Sequence, residues 1–219
     1  MNQLPWGQAS AIKRGICEIG KMMYDRGFVA ANDGNISVRL GADRIIVTPT
    51  MVSKGYMKPS ILVTTDLEGR VLSGRMRPSS ELKMHLAVYR ERPDVRAVVH
   101  AHPANATGFA VAGLALDKPF MPELVVNLGA GPLAPYATPS TEEVPRSIEG
   151  LVKGHGALLL SNHGVLAWGR DLAEAYDHLE TVELYAKILI AARTVGEPRA
   201  IAGEKLEALY RIREALGLS

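Results

Sequence analysis

The residues best suited to chemistry lie in the stretch 79–102. An apolar run ends there as Val98-Val99-His100-Ala101-His102, with two histidines two positions apart. Side chains on a β-strand alternate between its faces, so both imidazoles are predicted to point to the same side. Two imidazoles on one side of a strand can bind one metal ion. The alternative is a pair of partly exposed strand histidines without a ligand.

A third histidine favours the metal-site interpretation. His163 lies in a polar segment between two short apolar runs, which indicates a turn between two strands. Loops at strand ends frequently carry functional groups. Three imidazoles with one open position are typical of a catalytic zinc site. His85 is expected to be structural rather than a ligand, and His155 and His178 are expected to be structural or on the surface.

Glu81 lies upstream of the histidine pair, where a helix is predicted to begin. An acidic residue in a first helical turn needs no catalytic role, because it interacts favourably with the helix dipole. The functional alternative is a general base beside the metal. Such a carboxylate binds the cation when substrate is absent and takes a proton when substrate arrives.

A set of small hydrogen-bond donors is predicted at strand ends or at a helix N-terminus. Such places bind phosphate without a large positive charge. Each residue alone is also explained as a cap or a turn, but together with a metal they indicate a phosphorylated substrate. The set consists of Gly34, Asn35, Thr50, Ser79 and Ser80.

The elements that position these residues are read from periodicity and turn signals. The sequence predicts a mixed α/β fold with an antiparallel sheet covered by helices. Helices are predicted at 7–26, about 80–90, 104–112, 141–153, 172–195 and 203–217. Strands are predicted at 36–39, 44–48, 61–65, 71–72, 95–100, 124–126, 133–134, 157–160 and 165–168.

Composition sets the remaining limits. The 219 residues are 47% apolar and carry a net charge of only +2, which indicates one domain over 1–219 and disfavours a nucleic-acid surface. The single cysteine, Cys17, falls in an apolar helical pattern and is expected to be a small buried residue. The first residues lack a signal-peptide pattern, and no apolar run is long enough to cross a membrane, so a cytoplasmic location is expected.

Taken together, the motifs resemble the class II aldolase/adducin family, and most closely its L-fuculose-1-phosphate aldolase branch. They occur in family order from residue 7 to about 190. The motifs are Gly34-Asn35-Ile36-Ser37-Val38-Arg39, Thr48-Pro49-Thr50, Pro78-Ser79-Ser80-Glu81, Arg92-Pro93-Asp94, Val98-Val99-His100-Ala101-His102, Ala134-Pro135-Tyr136-Ala137-Thr138 and Asn162-His163-Gly164.

The resemblance implies a three-layer α/β/α fold with a central, mainly antiparallel sheet. It implies that His100, His102 and His163 bind Zn²⁺ or another divalent metal, and that Glu81 is both the catalytic acid/base and a metal ligand without substrate. The small donors would bind the phosphate. The implied reaction is reversible cleavage of a ketose 1-phosphate to dihydroxyacetone phosphate and an aldehyde. A homotetramer with active sites at subunit interfaces is also implied.

The sequence departs from the family on the aldehyde side. Met51 stands where the fuculose-phosphate aldolases commonly have glycine after the threonine of the phosphate loop. Pro122 and Glu123 lie near the place of a tyrosine that protonates the departing aldehyde oxygen, and Tyr210 is a candidate for a second tyrosine of the C-terminal tail. The identity of the aldehyde therefore stays open.

Other activities of the family remain as alternatives. Glu81 argues against the 4-epimerases, which usually carry aspartate at that position. Dehydratases of methylthioribulose phosphate, sugar-acid phosphate decarboxylases and aldolases for 5-deoxy-pentulose phosphates stay open. An adducin-like binding module without catalysis is the alternative from a different class.

Overall fold

A computed structural model describes residues 6–218 and is organised around one eight-stranded sheet. The strand order is β4-β3-β2-β1-β5-β8-β7-β6, and every neighbouring pair is antiparallel except β6 and β7. The strands are β1 Asn35–Leu40, β2 Arg44–Val47, β3 Val63–Asp66, β4 Val71–Ser73, β5 Ala97–Ala101, β6 Leu133–Ala134, β7 Ala157–Leu160 and β8 Gly164–Gly169.

Helices cover both faces of this sheet. They are α1 Trp6–Asp25, α2 Leu82–Glu91, α3 Ala104–Val111, α4 Glu143–Ser147, α5 Leu172–Val195 and α6 Glu204–Ala215. Helices α1, α3 and α5 contribute to one apolar cluster, and α2 and α4 contribute to the other. The predicted three-layer α/β/α fold with a mainly antiparallel sheet is therefore confirmed.

The alternation of β5 decides which face carries the candidate site. Val99 packs into the cluster of α1, α3 and α5, whereas Val98 packs into the cluster of α2 and α4. Because side chains alternate along a strand, His100 shares the face of Val98 and points toward the α2 layer. The central strands are buried on both faces, which explains their nearly continuous apolar runs.

Two predicted elements are wrong. The predicted strand 124–126 is a π-helical turn, Leu124–Leu128, because a short apolar run has the same pattern in a buried strand and a buried turn. The predicted helix 141–153 is only α4. Its early end agrees with Gly150, whose φ of +75° does not continue a helix.

Two smaller differences concern single residues. Glu81 stands at the N-cap of α2 instead of in its first turn, and Cys17 is half-buried instead of buried. Asp171 caps α5 as its position suggests, since its side chain accepts a hydrogen bond from the Glu174 amide. Among residues 6–218, the structure contains no helix with the length and apolar character needed to cross a membrane.

Candidate active site

The three histidines meet at one end of the sheet. His100 is the penultimate residue of β5, and His102 directly follows this strand. His163 lies in the tight turn between β7 and β8. Since β5 pairs with β8, this turn is held beside the end of β5. One ring nitrogen from each histidine lies within 4.8 Å of the others.

Gly164 allows this close approach. A Cβ atom at this position would lie 2.5 Å from the Ala101 carbonyl oxygen and 2.6 Å from Cδ2 of His102. Any larger residue would therefore push the turn away from the end of β5. The glycine that follows His163 in the sequence is a packing requirement of the histidine cluster.

The hydrogen bond of His100 fixes which ring nitrogen is available. Its Nδ1 donates to the Val165 carbonyl oxygen at 2.9 Å, so its Nε2 carries a lone pair. That Nε2 faces the Nε2 of His102 at 3.1 Å. Ligands of a tetrahedral zinc site with bonds of about 2.0 Å are separated by roughly 3.3 Å, which is close to this spacing.

Burial keeps the imidazoles of His100 and His102 neutral. It lowers the pKa of His100 to about 3, and burial together with neighbouring His163 lowers the pKa of His102. The neutral ring is the form that binds metal. Asp33 lies beside His102, with its Oδ2 3.6 Å from the Nδ1 that faces away from His100.

Glu81 reaches the same point from the N-terminus of α2. Its Oε1 is 3.1 Å from Nε2 of His163, and its Oε2 is 3.4 Å from Nε2 of His100. Burial raises the pKa of this carboxyl, but the interactions with His100, His163 and the Asn35 amide outweigh it and hold the pKa well below its usual range. Glu81 is therefore a carboxylate.

The two oxygens of this carboxylate differ. Oε2 accepts a hydrogen bond of 2.9 Å from Nδ2 of Asn35. Oε1 is buried and has no aligned hydrogen-bond partner among residues 6–218. A buried carboxylate oxygen without an aligned donor, close to three imidazoles, fits a divalent cation held by nitrogen and oxygen ligands.

The predicted phosphate residues lie on segments that adjoin this cluster. Backbone hydrogen bonds join the segment of Thr50 to that of Ser79, through Thr50 N to Arg77 O at 3.1 Å and Ser79 N to Thr48 O at 3.0 Å. Ser79 Oγ accepts from the Glu81 amide at 3.2 Å. Ser80, the next residue, is exposed.

Gly34 and Asn35 approach from β1. At Gly34 the backbone has φ +71°, and a Cβ atom would lie 2.8 Å from the His100 carbonyl oxygen. The Asn35 side chain is buried and engaged by Glu81 and His85, and in the described part of the chain its second amide hydrogen has no protein acceptor.

Three residues were noted above on the aldehyde side of the family comparison: Met51, Glu123 and Tyr210. Met51 adopts φ +58° and is 76% exposed, so the backbone keeps a glycine-like conformation without glycine. Within residues 6–218, Glu123 and Tyr210 form no hydrogen bond or ion pair with the three histidines or Glu81. Helix α6, which carries Tyr210, docks through Arg213 on Gly154, at the end of β7 opposite His163.

Sequence reasoning missed the residues behind Glu81. His85 is not beside the three imidazoles but hydrogen-bonds Asn35, and it is joined there by Ser37 and Tyr89. A signal was present, because polar residues recur every second position in β1 and every fourth position in α2. His155 and His178 hydrogen-bond backbone carbonyls away from the cluster, as expected of structural histidines.

Comparison with known proteins identifies the family of this chain. The family described as "Class II Aldolase and Adducin N-terminal domain" matches residues 14–190. The chain belongs to the class II aldolase and adducin family. A relative from Haemophilus influenzae, a 3-oxo-tetronate 4-phosphate decarboxylase, is 35% identical over 81% of this chain and 86% of its own length.

Two further matches cover nearly the whole chain. A 5-deoxy-D-ribulose 1-phosphate aldolase from Bacillus thuringiensis serovar kurstaki is 32% identical over 92% of this chain and 95% of its own. A solved L-fuculose 1-phosphate aldolase has a TM-score of 0.86 and 32% identity over 92% of this chain and 95% of its own. This class II aldolase family member is an enzyme, a metal-dependent lyase, and the non-enzymatic alternative is set aside.

Proposed function

We propose that this enzyme is a zinc-dependent aldolase that reversibly cleaves a ketose 1-phosphate to dihydroxyacetone phosphate and an aldehyde. The observation that carries the proposal is the convergence of three imidazoles with a carboxylate whose Oε1, within residues 6–218, has no aligned hydrogen-bond partner. When bound there, zinc supplies a Lewis acid that stabilises negative charge on the carbonyl and hydroxyl oxygens of the substrate. The proposed ligands are His100, His102, His163 and, without substrate, Glu81.

In this proposal Glu81 moves the proton. Its Oε2 is held by Asn35, whereas its Oε1 faces the space where substrate would replace it as a ligand. Breaking the carbon–carbon bond turns the hydroxyl on the departing carbon into the aldehyde and releases its proton, which leaves an enediolate of dihydroxyacetone phosphate. The ionised Glu81 takes up a proton by exchange with solvent, and its Oε1 delivers that proton to the enediolate carbon to complete the product. In the direction of synthesis the same oxygen removes that proton.

The phosphate is proposed to lie among the small donors beside the cluster: Gly34, Asn35, Thr50, Ser79 and Ser80. Support comes from the backbone pairing that joins the Thr50 segment to the Ser79 segment, and from the contact of Ser79 with the start of α2. Backbone amides and hydroxyls at a helix N-terminus are a suitable site for an anion.

Decarboxylation of a 3-oxo-tetronate 4-phosphate is the second candidate. The decarboxylase relative at 35% identity favours it, as does the chain's departure from the family on the aldehyde side. Loss of carbon dioxide from such an acid leaves the same three-carbon enediolate that aldol cleavage leaves. Carbon dioxide departs without needing a proton, so a decarboxylase needs no tyrosine in the place of Glu123.

The two candidates share a product and differ in the other fragment. The purified chain with one equivalent of zinc is assayed on L-fuculose 1-phosphate, 5-deoxy-D-ribulose 1-phosphate and 3-oxo-tetronate 4-phosphate. An aldolase forms dihydroxyacetone phosphate together with an equal amount of aldehyde, and a decarboxylase forms it together with carbon dioxide. Formation of no dihydroxyacetone phosphate from any of them contradicts both candidates.

The role of Glu81 is tested by Glu81→Gln. Removal of a positioned acid/base typically lowers turnover by about 10²–10⁴-fold, while three histidines remain to bind metal. The matched control is Glu207→Gln on exposed α6, which should leave turnover unchanged. Turnover of Glu81→Gln within twofold of wild type, with metal bound, contradicts the assignment.

A homotetramer with active sites between subunits is also proposed. It is supported by the family resemblance and by Tyr210, which is 41% exposed on a helix docked far from this chain's own cluster. Light scattering of the protein as it elutes from a size-exclusion column measures the mass of the assembly directly. A monomeric species that retains full activity contradicts the proposal.

A further inference from the structure

A ladder of polar side chains runs from Glu81 into the core between β1 and α2. Asn35, Ser37 and Arg39 lie at every second position of β1, and they face Glu81, His85 and Tyr89 at every fourth position around α2. Two residues of a strand advance about 6.6 Å and four residues of a helix advance about 6.0 Å, so the rungs stay aligned.

Each rung is a close contact. His85 Nε2 contacts Asn35 Oδ1, and His85 Nδ1 lies 2.7 Å from Ser37 Oγ. The Tyr89 hydroxyl lies 2.9 Å from Ser37 Oγ and donates to the Ser37 carbonyl oxygen at 3.0 Å. Arg39 ends the ladder, with its guanidinium 4.9 Å from the Tyr89 ring centre. His85 and Ser37 have no exposed surface at all.

Counting hydrogen-bond donors and acceptors shows which atom donates in each hydrogen bond between Ser37 and Glu81. Ionised Glu81 only accepts, so Asn35 turns its amino group toward Oε2 and its Oδ1 toward His85. Oδ1 also only accepts, so His85 must carry its hydrogen on Nε2. A neutral imidazole has a single N–H, and His85 is neutral because burial lowers its pKa to about 4. Its Nδ1 therefore accepts from the Ser37 hydroxyl.

The direction of these hydrogen bonds determines how the Asn35 amide is oriented toward Glu81. If His85 stopped donating to Asn35, the amide would lose the contact that distinguishes its two ends. A flipped amide would place Oδ1 against Glu81 Oε2, and two acceptors would repel each other. The carboxylate would then leave the position in which Oε1 faces the histidines. Apolar side chains would fill the same space without these hydrogen-bond requirements, so packing alone does not account for the ladder.

We propose that His85, supported by Ser37 and Tyr89, is a positioning residue that orients the Asn35 amide and through it the Glu81 carboxylate. Within residues 6–218, the His85 ring hydrogen-bonds Asn35 and Ser37 and none of the proposed metal ligands, so it acts through Asn35 in this role. The kinetic part of the test rests on the proposed function, whereas the spectroscopic part does not.

The kinetic test compares two variants of similar size. His85→Met removes both ring nitrogens, and His85→Gln keeps an amide N–H able to reach Asn35 Oδ1. Outer-shell partners typically change activity by about 10–100-fold, so His85→Met should lower kcat by that factor with KM within about twofold, metal content unchanged. His85→Gln should recover kcat to within about threefold of wild type.

The controls separate positioning from packing. His178 is a half-buried histidine of α5, and its Nδ1 donates to the Trp168 carbonyl oxygen away from the cluster. His178→Met and His178→Gln should both leave kcat unchanged. Should His85→Met fail to fold, Ser37→Ala removes only one oxygen and should still lower kcat severalfold. A kcat within twofold of wild type in a folded His85→Met or Ser37→Ala, or equal losses in His85→Met and His85→Gln, overturns the proposal.

The spectroscopic test needs no substrate. Nitrogen-15 NMR of the imidazole rings in the metal-free chain distinguishes N–H from bare ring nitrogen, and His85→Gln identifies the His85 signals by their loss. The ladder requires hydrogen on Nε2 and none on Nδ1. Hydrogen on Nδ1 overturns the proposal even in an active enzyme. If the wild type forms no dihydroxyacetone phosphate, the proposed function fails while this measurement still decides the ladder.

Discussion

Two glycines with the same backbone conformation allow a sharp test of how the cluster is packed. Gly34 and Gly27 both have φ +71°. A Cβ atom at Gly27 would meet nothing within 4 Å, whereas one at Gly34 would lie 2.5 Å from Val29 Cγ1 and 2.8 Å from the His100 carbonyl oxygen. Gly27→Ala is therefore a matched control for Gly34→Ala.

The magnitude follows from separating conformation from contact. Both alanines adopt the left-handed region, which costs about 1–2 kcal/mol of unfolding free energy. Overpacking a filled site costs a further 1–3 kcal/mol, roughly, and applies only to Gly34→Ala. Part of the contact is with backbone of central strand β5, which cannot rotate away as a side chain can. Gly34→Ala should therefore be less stable than Gly27→Ala by about 1–3 kcal/mol.

Displacement of the His100 backbone in Gly34→Ala should also weaken metal binding. The His100 ring is held by the hydrogen bond from its Nδ1 to the Val165 carbonyl oxygen. A shift of the His100 backbone disturbs this hydrogen bond and moves Nε2 away from the nitrogens of the other two histidines. We expect Gly34→Ala to lose about tenfold or more in zinc affinity and Gly27→Ala to keep it. Urea unfolding of the metal-free proteins measures stability, and competition with a chromophoric chelator measures affinity. Equal stability and equal zinc affinity of the two variants would refute the reasoning.

Three further predictions concern the cluster, the phosphate loop and pH. His102→Ala should bind less than one zinc per chain, because one of three imidazole ligands is lost; full occupancy by atomic absorption would show the ligand assignment wrong. Met51→Gly should raise the free energy of unfolding by about 0.5–1 kcal/mol, since glycine relieves the left-handed backbone at some entropic cost; a drop in the urea midpoint would mean that the exposed side chain makes stabilising contacts. Burial lowers the pKa of His85 to about 4, so an unfolded chain takes up an extra proton as the pH falls below about 6.5. Stability of the metal-free wild type, complete above that pH, should fall toward pH 4 more steeply than that of His85→Gln, by up to about 1.4 kcal/mol per pH unit; parallel urea midpoints at pH 7 and pH 5 would contradict this.

Local patterns in the sequence were enough for much of the fold and for the choice of chemistry. Strand alternation placed His100 and His102 on one side, and turn signals placed His163 between two strands. These inferences succeed because they depend on neighbours within a few residues. The predicted strand 124–126 was wrong for the same reason. A short apolar run does not reveal whether it is a buried strand or a buried turn, and here it is the turn Leu124–Leu128.

Only the tertiary structure decided which polar groups serve the site. The contact of Asn35 with Glu81 spans 46 positions, and that of Ser37 with Tyr89 spans 52. Such contacts depend on how β1 and α2 are aligned when they pack, and no local pattern fixes that alignment. The sequence by itself determined that three histidines and an acid were available for metal chemistry. The packing of a helix on a strand determined which oxygen of the acid is held by Asn35 and which one faces His163.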